Sequence, residues 1–304
     1  MERLITGTTA YKIFSSDVAR GTLSHAYMLD FNDPFNLRSA LKFFAYAFFG
    51  ANAGTPLYSR LVSESHPDLI VYPSAGKKIT ADGAAEIIEG SSLKPVEAVR
   101  KLFVISGFDD SSAIVQNKLL KTLEEPPENV HYLLGVTSQS PVLTTVLSRV
   151  KLLKIPPFTS SEVLAALNRK AENPLNYAAS NSCNGVLGVA ENMVTGGWYE
   201  GVRAAAEEIC NTLNMSEISA VAEKHGDTKY KRELLTEMGN IYFSALTSGG
   251  RLREVLSDHA LIYALESVNR ALADVKFNAF FKGLLYDFML RVVKENEKWQ
   301  KLQA

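Results

Sequence analysis

The sequence is poor in cysteine, with only Cys183 and Cys210 among its 304 residues. Two thiols cannot form the disulfide framework that stabilises small secreted domains. The chain also lacks an apolar run of about 18 residues, the length that a membrane-spanning helix needs, and its first residues lack the basic-then-apolar pattern of a secretory signal. We therefore expect a cytoplasmic protein without a membrane partner.

The chain carries almost no net charge. Its 32 basic and 33 acidic side chains leave a formal charge of −1, so no overall positive field attracts it to nucleic acid. Any contact with DNA would have to be local or shared with partner proteins. Hydrophobic residues make up 46% of the sequence, and a chain of this length can bury the cores of about two or three domains.

The segment 101–155 has the pattern of alternating strands and helices. Apolar runs typical of buried strands occur at 101–105, 131–136 and 150–155. Ser112 is a candidate N-cap for a helix that Pro126 and Pro127 end abruptly. Strands separated by helices imply parallel pairing with crossover connections. This segment therefore predicts an α/β fold.

The first hundred residues extend the same pattern. Helices are predicted before residue 23, over 36–49 and over 79–92, the last with Thr80 as its N-cap. SHAYML at 24–29 and HPDLIVY at 66–72 have the composition of strands. Together with the central segment they predict an open sheet of about five strands.

Beyond this region the sequence predicts helices only. A double proline at 156–157 marks a boundary, and Thr159 and Ser160 are candidate caps for a new helix. A small helical domain is expected up to about Gly197, followed by one dense helix after another. The prediction is an α/β domain over 1–158, a small helical domain over 159–197 and an all-α domain over 198–304.

The exact residues of the segment 101–155 are more informative than its pattern of strands and helices. NKLLKTLEEPP at 117–127, a Thr-Ser strand end at 137–138 and a Ser-Arg pair at 148–149 strongly resemble the delta-prime subunits of the bacterial DNA polymerase III clamp loader. They resemble the ATP-hydrolysing subunits of that assembly slightly less. The similarity extends from SHAYML to Phe158 and is weaker beyond. It implies an AAA+ type parallel-sheet domain, a helical lid domain and a C-terminal helical collar domain.

A working phosphate-binding loop needs Gly-x-x-x-x-Gly-Lys-Ser/Thr after a strand. At that place this chain has no glycine, Leu37 stands at the lysine position and Arg38 at the hydroxyl position. Asp30 and Asp33 add negative charge that would repel a triphosphate. The paired acids that hold magnesium in hydrolysing relatives correspond to Ser-Gly at 106–107. We therefore expect no intrinsic ATPase activity and no cofactor.

Two further family sites are also missing. Many relatives insert a cysteine-rich zinc module where this chain has residues 50–65, which contain no cysteine, and His66 alone cannot supply four zinc ligands. The lid helix that opens with a nucleotide-sensing arginine in the family corresponds to residues 182–194, which contain no arginine. We therefore expect no bound metal and an empty nucleotide site.

Other polar residues near the expected site have simpler interpretations. Thr137 and Ser138 match the position that senses the γ-phosphate in active members, but without a nucleotide we favour a turn-forming role. Asp109 and Asp110 are interpreted as acids at the entry of the next helix, where they would interact with the helix dipole. Glu124 and Glu125 are candidates for pairing with a partner subunit.

The Ser-Arg pair at 148–149 is the family motif for which the resemblance still implies a function in this chain. The family carries a Ser-Arg-Cys motif whose arginine reaches the ATP site of a neighbouring subunit, and this chain has Ser148, Arg149 and Val150 there. A guanidinium is permanently charged and planar, which suits it to a transferring phosphoryl group. The resemblance therefore implies that Arg149 acts catalytically in trans, with Ser148 supporting it. The alternative is that Arg149 forms a structural salt bridge on the surface.

The function implied by the resemblance is that of a non-hydrolysing subunit, a stator against which the delta subunit moves while the sliding clamp is opened onto primed DNA. Its partners would be the ATP-hydrolysing subunits and the delta subunit in a hetero-oligomeric ring, with clamp and DNA reached through that complex. Two alternatives remain open. One is an autonomous ATPase with an unorthodox loop, and the other is an AAA-like scaffold outside replication.

Overall fold

The computed structural model describes residues 1–74, 76–274 and 280–303. The strands are β1 (Ala26–Phe31), β2 (Leu69–Tyr72), β3 (Lys101–Ser106), β4 (Val130–Val136) and β5 (Lys151–Ile155). The helices in the first half are α1 (Glu2–Gly7), α2 (Thr9–Arg20), α3 (Leu37–Phe48), α4 (Pro56–Val62), α5 (Ala81–Ser92), α6 (Ala113–Glu124) and α7 (Thr144–Leu147), with a 3-10 turn at Phe108–Asp110. The remaining helices are α8 (Ser160–Lys170), α9 (Asn176–Ser182), α10 (Leu187–Thr195), α11 (Tyr199–Asn211), α12 (Met215–His225), α13 (Lys231–Ser248), α14 (Arg251–Val255), α15 (Asp258–Asp274) and α16 (Phe281–Gln303).

The chain forms two compact units. The first, which we call the sheet unit, consists of Met1–Lys170 and Gly185–Val189. The second, the helical unit, consists of Ala171–Asn184 and the described residues from Ala190 onward. A parallel α/β sheet followed by helices is thus confirmed as the fold class, and the more specific AAA+ assignment stays an expectation from the resemblance. The division into three domains at residues 158 and 197 stays a prediction, and residues 275–279 of the predicted collar domain lie outside the described residues.

The sheet unit is built on five strands in the order β2-β3-β4-β1-β5, and every neighbouring pair is parallel. The central strands are buried along almost their whole length, as expected where helices cover both faces of a sheet. On one face Met28 of β1 packs in a cluster with Ile87 of α5 and Leu119 of α6. On the other, Tyr27 contacts Phe14 of α2 edge to face.

Local signals position the helices of this unit as the sequence predicts. The Thr80 side chain accepts a hydrogen bond from the amide of Gly83 and caps α5. Ser112 caps α6 in the same way. Both predicted N-caps are therefore confirmed.

Helix α3 packs closely against Gly135 of β4. Its predicted apolar face is buried, with Leu37, Leu41 and Phe44 almost fully covered. A Cβ at Gly135 of β4 would come within 2.5 Å of a Leu41 methyl and 3.2 Å of a Leu37 methyl. The missing side chain at Gly135 therefore permits the close packing that brings the start of α3 against the sheet.

The helical unit has its own apolar core and one buried polar cluster. Glu237 of α13 is 4% exposed. One of its carboxylate oxygens accepts hydrogen bonds from the hydroxyl groups of Ser182 and Tyr199, and the other lies 3.8 Å from Nε of Arg203. These partners satisfy the buried carboxylate, and the cluster joins α9, α11 and α13. None of the helices that the structure describes is both long and apolar enough to span a bilayer.

The boundary at the double proline is followed by a capping box. Thr159 Oγ1 accepts the N–H of Glu162 at 3.3 Å, and Glu162 Oε2 accepts the N–H of Thr159 at 2.8 Å. The N–H and the hydroxyl of Thr159 both donate to Glu162 Oε2, and these two hydrogen bonds lower the pKa of Glu162. Thr159 is thus the cap of α8, whereas the hydroxyl of Ser160 makes no hydrogen bond within the described chain.

We expect Thr159→Ala to destabilise the protein by about 1 kcal/mol, because it removes the hydroxyl that accepts a peptide N–H at the start of α8. Ser160→Ala is the matched control, since it deletes a neighbouring hydroxyl without a partner, and it should change stability by only about a few tenths of a kcal/mol. Urea unfolding followed by circular dichroism measures both. Equal effects of the two variants would contradict the assignment of Thr159 as the cap.

Candidate functional site

The loop between β1 and α3, where a nucleotide-binding relative would hold phosphates, is closed by Asp33. This residue is fully buried. Its Oδ1 accepts the backbone N–H of Asn36 at 3.1 Å, and its Oδ2 accepts the Asn36 side-chain amide at 3.0 Å and the backbone N–H of Gly188 at 2.8 Å. Peptide N–H groups at helix N-termini are the donors that bind phosphate. Here a carboxylate of the chain itself uses them.

The first turn of α10 fits this loop only because residue 188 is glycine. A Cβ at Gly188 would lie 2.4 Å from Oδ1 of Asp33 and 2.6 Å from Cβ of Phe35. This is the helix in which the resemblance places a nucleotide-sensing arginine. A side chain in its first turn at Gly188 would collide with the loop.

Leu37 and Arg38, which stand at the lysine and hydroxyl positions of a phosphate-binding loop, have structural roles in this chain. Leu37 is buried in the sheet unit against β4. Arg38 donates to the carbonyl of Pro73 at 2.6 Å and to Glu64 at 2.9 Å. Burial opposes the ionisation of Glu64, but Lys42 and Arg38 outweigh it and lower the pKa of this carboxyl. Both Leu37 and Arg38 are therefore committed to packing and to a local ion pair, and they do not fit the binding of magnesium or a triphosphate.

The contacts of Asp109 differ from the helix-entry role that the sequence suggested for this residue. It lies in the 3-10 turn after β3, and its Oδ2 accepts hydrogen bonds from the Thr137 N–H at 3.0 Å, the Thr137 hydroxyl at 2.6 Å and the Ser138 N–H at 3.1 Å. The carboxylate thus links the ends of β3 and β4 instead of facing the dipole of the next helix. This linkage leaves Thr137 engaged within the chain, at the strand end where active relatives sense phosphate.

The residues present do not fit the zinc module that the family implies. The segment 50–65 contains the short helix α4, and no group of three or more His, Cys, Asp or Glu side chains in the described residues could hold a metal ion. Cys183 and Cys210 are buried and do not form a disulfide, and burial raises the pKa of the Cys210 thiol to about 12. His66 is buried, and its Nδ1 accepts the N–H of Asp68. The absence of a metal stays a prediction.

Arg149 lies in the turn between α7 and β5, and its side chain is 30% exposed. One terminal nitrogen donates to the carbonyl of Thr145 at 2.8 Å and to the hydroxyl of Ser148 at 3.3 Å, and the other donates to Oε1 of Glu124 at 3.0 Å. Glu124 belongs to the LLKTLEEPP helix, α6. The fold therefore brings together the two motifs on which the resemblance depends.

The guanidinium of Arg149 lies near the protein surface, beside an open cavity. Ser24, His25 and Lys151 complete the wall of an open cavity of about 590 Å³ beside it, and His25 Nε2 lies 3.1 Å from the Arg149 carbonyl oxygen. The salt bridge of the structural alternative is present, but an exposed ion pair contributes only about 0–1 kcal/mol. Glu124, a candidate for pairing with a partner subunit, pairs with Arg149 within the chain, and its pairing and that of Glu125 with a partner stay predictions. The trans-acting role of Arg149 and the support from Ser148 stay predictions.

Comparison with known proteins agrees with these motifs. A model of the family described as "DNA polymerase III, delta subunit" matches residues 6–159, about half of the chain. The DNA polymerase III subunit delta-prime of Bacillus subtilis is 27% identical over 187 residues, which cover 59% of this chain and 57% of that protein. The delta-prime subunit of Haemophilus influenzae is 33% identical over 97 residues, covering 31% of this chain and 30% of the relative.

The chain thus spans little more than half of the first relative's length and about a third of the second's. Among solved structures, a gamma subunit-related DNA polymerase III protein of Thermotoga maritima is matched with a TM-score of 0.46 at 13% identity, over 94% of this chain and 99% of that one. The resemblance inferred from the sequence motifs is confirmed by the family model and the curated relatives. The chain belongs to the DNA polymerase III delta subunit family, as a delta-prime-like member.

Proposed function

We propose that this protein is the non-hydrolysing delta-prime subunit of a bacterial clamp loader, and that it supplies Arg149 to the ATP site of a neighbouring subunit. The observation that carries the proposal is a contrast within the sheet unit. The chain's own phosphate loop is filled by the buried carboxylate of Asp33, while a guanidinium remains near the surface in the motif that the family uses in trans. Such a subunit would act on ATP only through its neighbour.

Electrostatics supports the first half of the proposal. A triphosphate entering the loop after β1 would have to displace Asp33 from the N–H groups of Asn36 and Gly188. It would also meet Leu37 where a lysine would neutralise it. A buried, hydrogen-bonded carboxylate repels an incoming anion and offers it no free donor. ATP binding is therefore opposed by both charge and space.

Geometry supports the second half. The turn that carries Arg149 is anchored on both sides, by α7 before it and by β5 after it. Its guanidinium is oriented by a carbonyl, a hydroxyl and the Glu124 carboxylate. The exposed ion pair is weak compared with the interaction of a guanidinium with a phosphoryl group in a closed interface. A neighbour's γ-phosphate can therefore compete successfully for Arg149.

The stator role and the partners belong to the same proposal. Residues of the sheet unit are fixed by internal contacts at the places where a nucleotide would otherwise act, which suits a rigid member of a moving ring. In the helical unit Phe243 of α13, Ile262 of α15 and Tyr286 of α16 are apolar side chains that remain at least 43% exposed, as expected of a collar that packs on neighbours. The partners would be ATP-hydrolysing subunits and a delta subunit, and the ring would bring the protein to the sliding clamp and primed DNA in the cytoplasm.

The isolated chain should not bind ATP, because Asp33 occupies the donors and Leu37 removes the cation. Titration with a fluorescent ATP analogue should give no saturable signal at micromolar concentrations, while an ATP-hydrolysing clamp-loader subunit treated identically serves as the positive control. Saturable binding by this chain would favour the autonomous ATPase with an unorthodox loop.

Arg149→Ala should lower the DNA- and clamp-stimulated ATPase of the assembled complex without preventing assembly. Arginine fingers contribute roughly 10³–10⁵ in rate at one site, but a ring with several ATP sites loses only the one that this subunit faces, so the bulk loss should be partial. Arg149→Lys should restore little, since an ammonium lacks the planar pair of donors.

Arg60→Ala is the matched control for this experiment. Arg60 also forms an exposed ion pair, with Glu97 at 2.7 Å, but it lies on the β2 side of the sheet, and β2 and β5 are opposite edges. Its loss should leave the ATPase of the complex unchanged. Wild-type ATPase and clamp loading by an assembled Arg149→Ala complex would rule out the trans-acting role.

Glu124→Gln should leave the stability of the isolated subunit within about 1 kcal/mol of wild type, since it removes one exposed ion pair. In the assembled complex the ATPase rate should equal or exceed that of wild type, because the guanidinium no longer has to leave a carboxylate. Urea unfolding and steady-state ATPase assays measure the two quantities. A loss as large as that of Arg149→Ala would mean that Glu124 positions the arginine instead of competing for it.

A further inference from the structure

Two helix N-termini converge on the same carboxylate. Helix α3 starts just after Asn36, and helix α10 starts at Leu187, so the N–H groups of Asn36 and Gly188 both belong to helix entries. Asp33 accepts from both, at 3.1 Å and 2.8 Å, and takes a third hydrogen bond from the Asn36 side chain. Both oxygens of the carboxylate are therefore used, by donors from two segments that are distant in sequence.

The charge of Asp33 is balanced by dipoles. The residue is fully buried, and none of the ion pairs formed by the described residues includes it. A buried carboxylate without a cation is unfavourable unless hydrogen-bond donors replace its hydration. Peptide N–H groups at helix entries, with the positive ends of two helix dipoles behind them, supply that replacement. The arrangement has the character of an anion-binding site whose anion is part of the chain.

The segment Gly185–Val189 is shaped to fit against this site. At Gly188 a Cβ would fall 2.4 Å from Asp33 Oδ1. At Gly185, where φ is +75°, a Cβ would fall 2.4 Å from the carbonyl oxygen of Phe158, and the Gly185 carbonyl accepts the N–H of Phe158 at 3.0 Å. The segment is thus in close contact at two points, with Phe158 just after β5 and with Asp33 in the loop after β1.

We propose that the enclosure formed by residues 31–37 and 185–189 is an oxyanion site whose ligand is the carboxylate of Asp33, and that this internal anion fastens the start of α10 to the sheet unit. The class of ligand that the site accepts is a small oxyanion such as a carboxylate. Because the anion is covalently part of the chain, the fastening does not depend on nucleotide concentration. The inference stands on contacts within the sheet unit and does not rest on the role of Arg149.

Chemical rescue tests this assignment in the full-length protein. Asp33→Ala leaves a space lined by the N–H groups of Asn36 and Gly188, and backbone amides of residues 185–189 should then exchange with deuterium roughly 10- to 100-fold faster, as expected when a buried donor loses its acceptor. Sodium formate should restore protection and raise Tm in a concentration-dependent way, while sodium chloride at the same ionic strength should not.

Asp30→Ala is the matched control. The Asp30 carboxylate accepts a hydrogen bond from the side chain of Gln139 at 2.6 Å and does not touch residues 185–189, so its removal should leave their exchange unchanged and insensitive to formate. Unchanged exchange in Asp33→Ala, or rescue by chloride as strong as rescue by formate, would overturn the proposal.

A second variant keeps the test decisive if Asp33→Ala does not fold. Asp33→Asn preserves the shape but places an amide donor among the N–H groups. Exchange at residues 185–189 should again be faster, and formate should have no effect because the space is filled. Wild-type protection in Asp33→Asn would show that a neutral acceptor of the same shape fastens the segment as well as the carboxylate does, which contradicts an anion site.

Discussion

A buried carboxylate is unfavourable unless it accepts hydrogen bonds. At Asp33 the donors are the peptide N–H groups at the starts of two helices. Several other features follow from it. The chain must turn sharply between β1 and α3 so that Asn36 faces the carboxylate, and residue 188 must lack a side chain so that its N–H can approach. In this conformation the donors of the loop are already used by Asp33. The geometry that ATP-binding relatives reserve for their ligand here serves the fold itself.

The elements whose signals are local could be predicted from the sequence. Thr80, Ser112 and Thr159 cap the helices that follow them because a side-chain oxygen two or three residues before an unpaired N–H needs no tertiary context. The apolar runs separated by helical segments likewise predicted the parallel sheet. The LLKTLEEPP and Ser-Arg motifs identified the family because they fix many residue types over a short distance.

The interactions that could not be predicted join residues far apart in the chain. Glu124 and Arg149 are separated by 25 positions, Asp109 and Thr137 by 28, and Asp33 and Gly188 by 155. Each pair meets because neighbouring strands or helices end at the same edge, which depends on the order of strands in the sheet. The negative charge of Asp33 was visible in the sequence and predicted repulsion of phosphate. Its hydrogen-bonding role was not visible, since nothing near residue 188 marks that glycine as its partner.

The fit between Asp33 and Gly188 restricts substitution at both positions. Any side chain introduced at position 188 collides with Asp33, so an arginine at this position is sterically excluded while the aspartate is present. Loss of the aspartate first leaves two helix entries without their anion. A side chain at position 188 therefore requires a second change at Asp33, and either change made alone is expected to destabilise the protein.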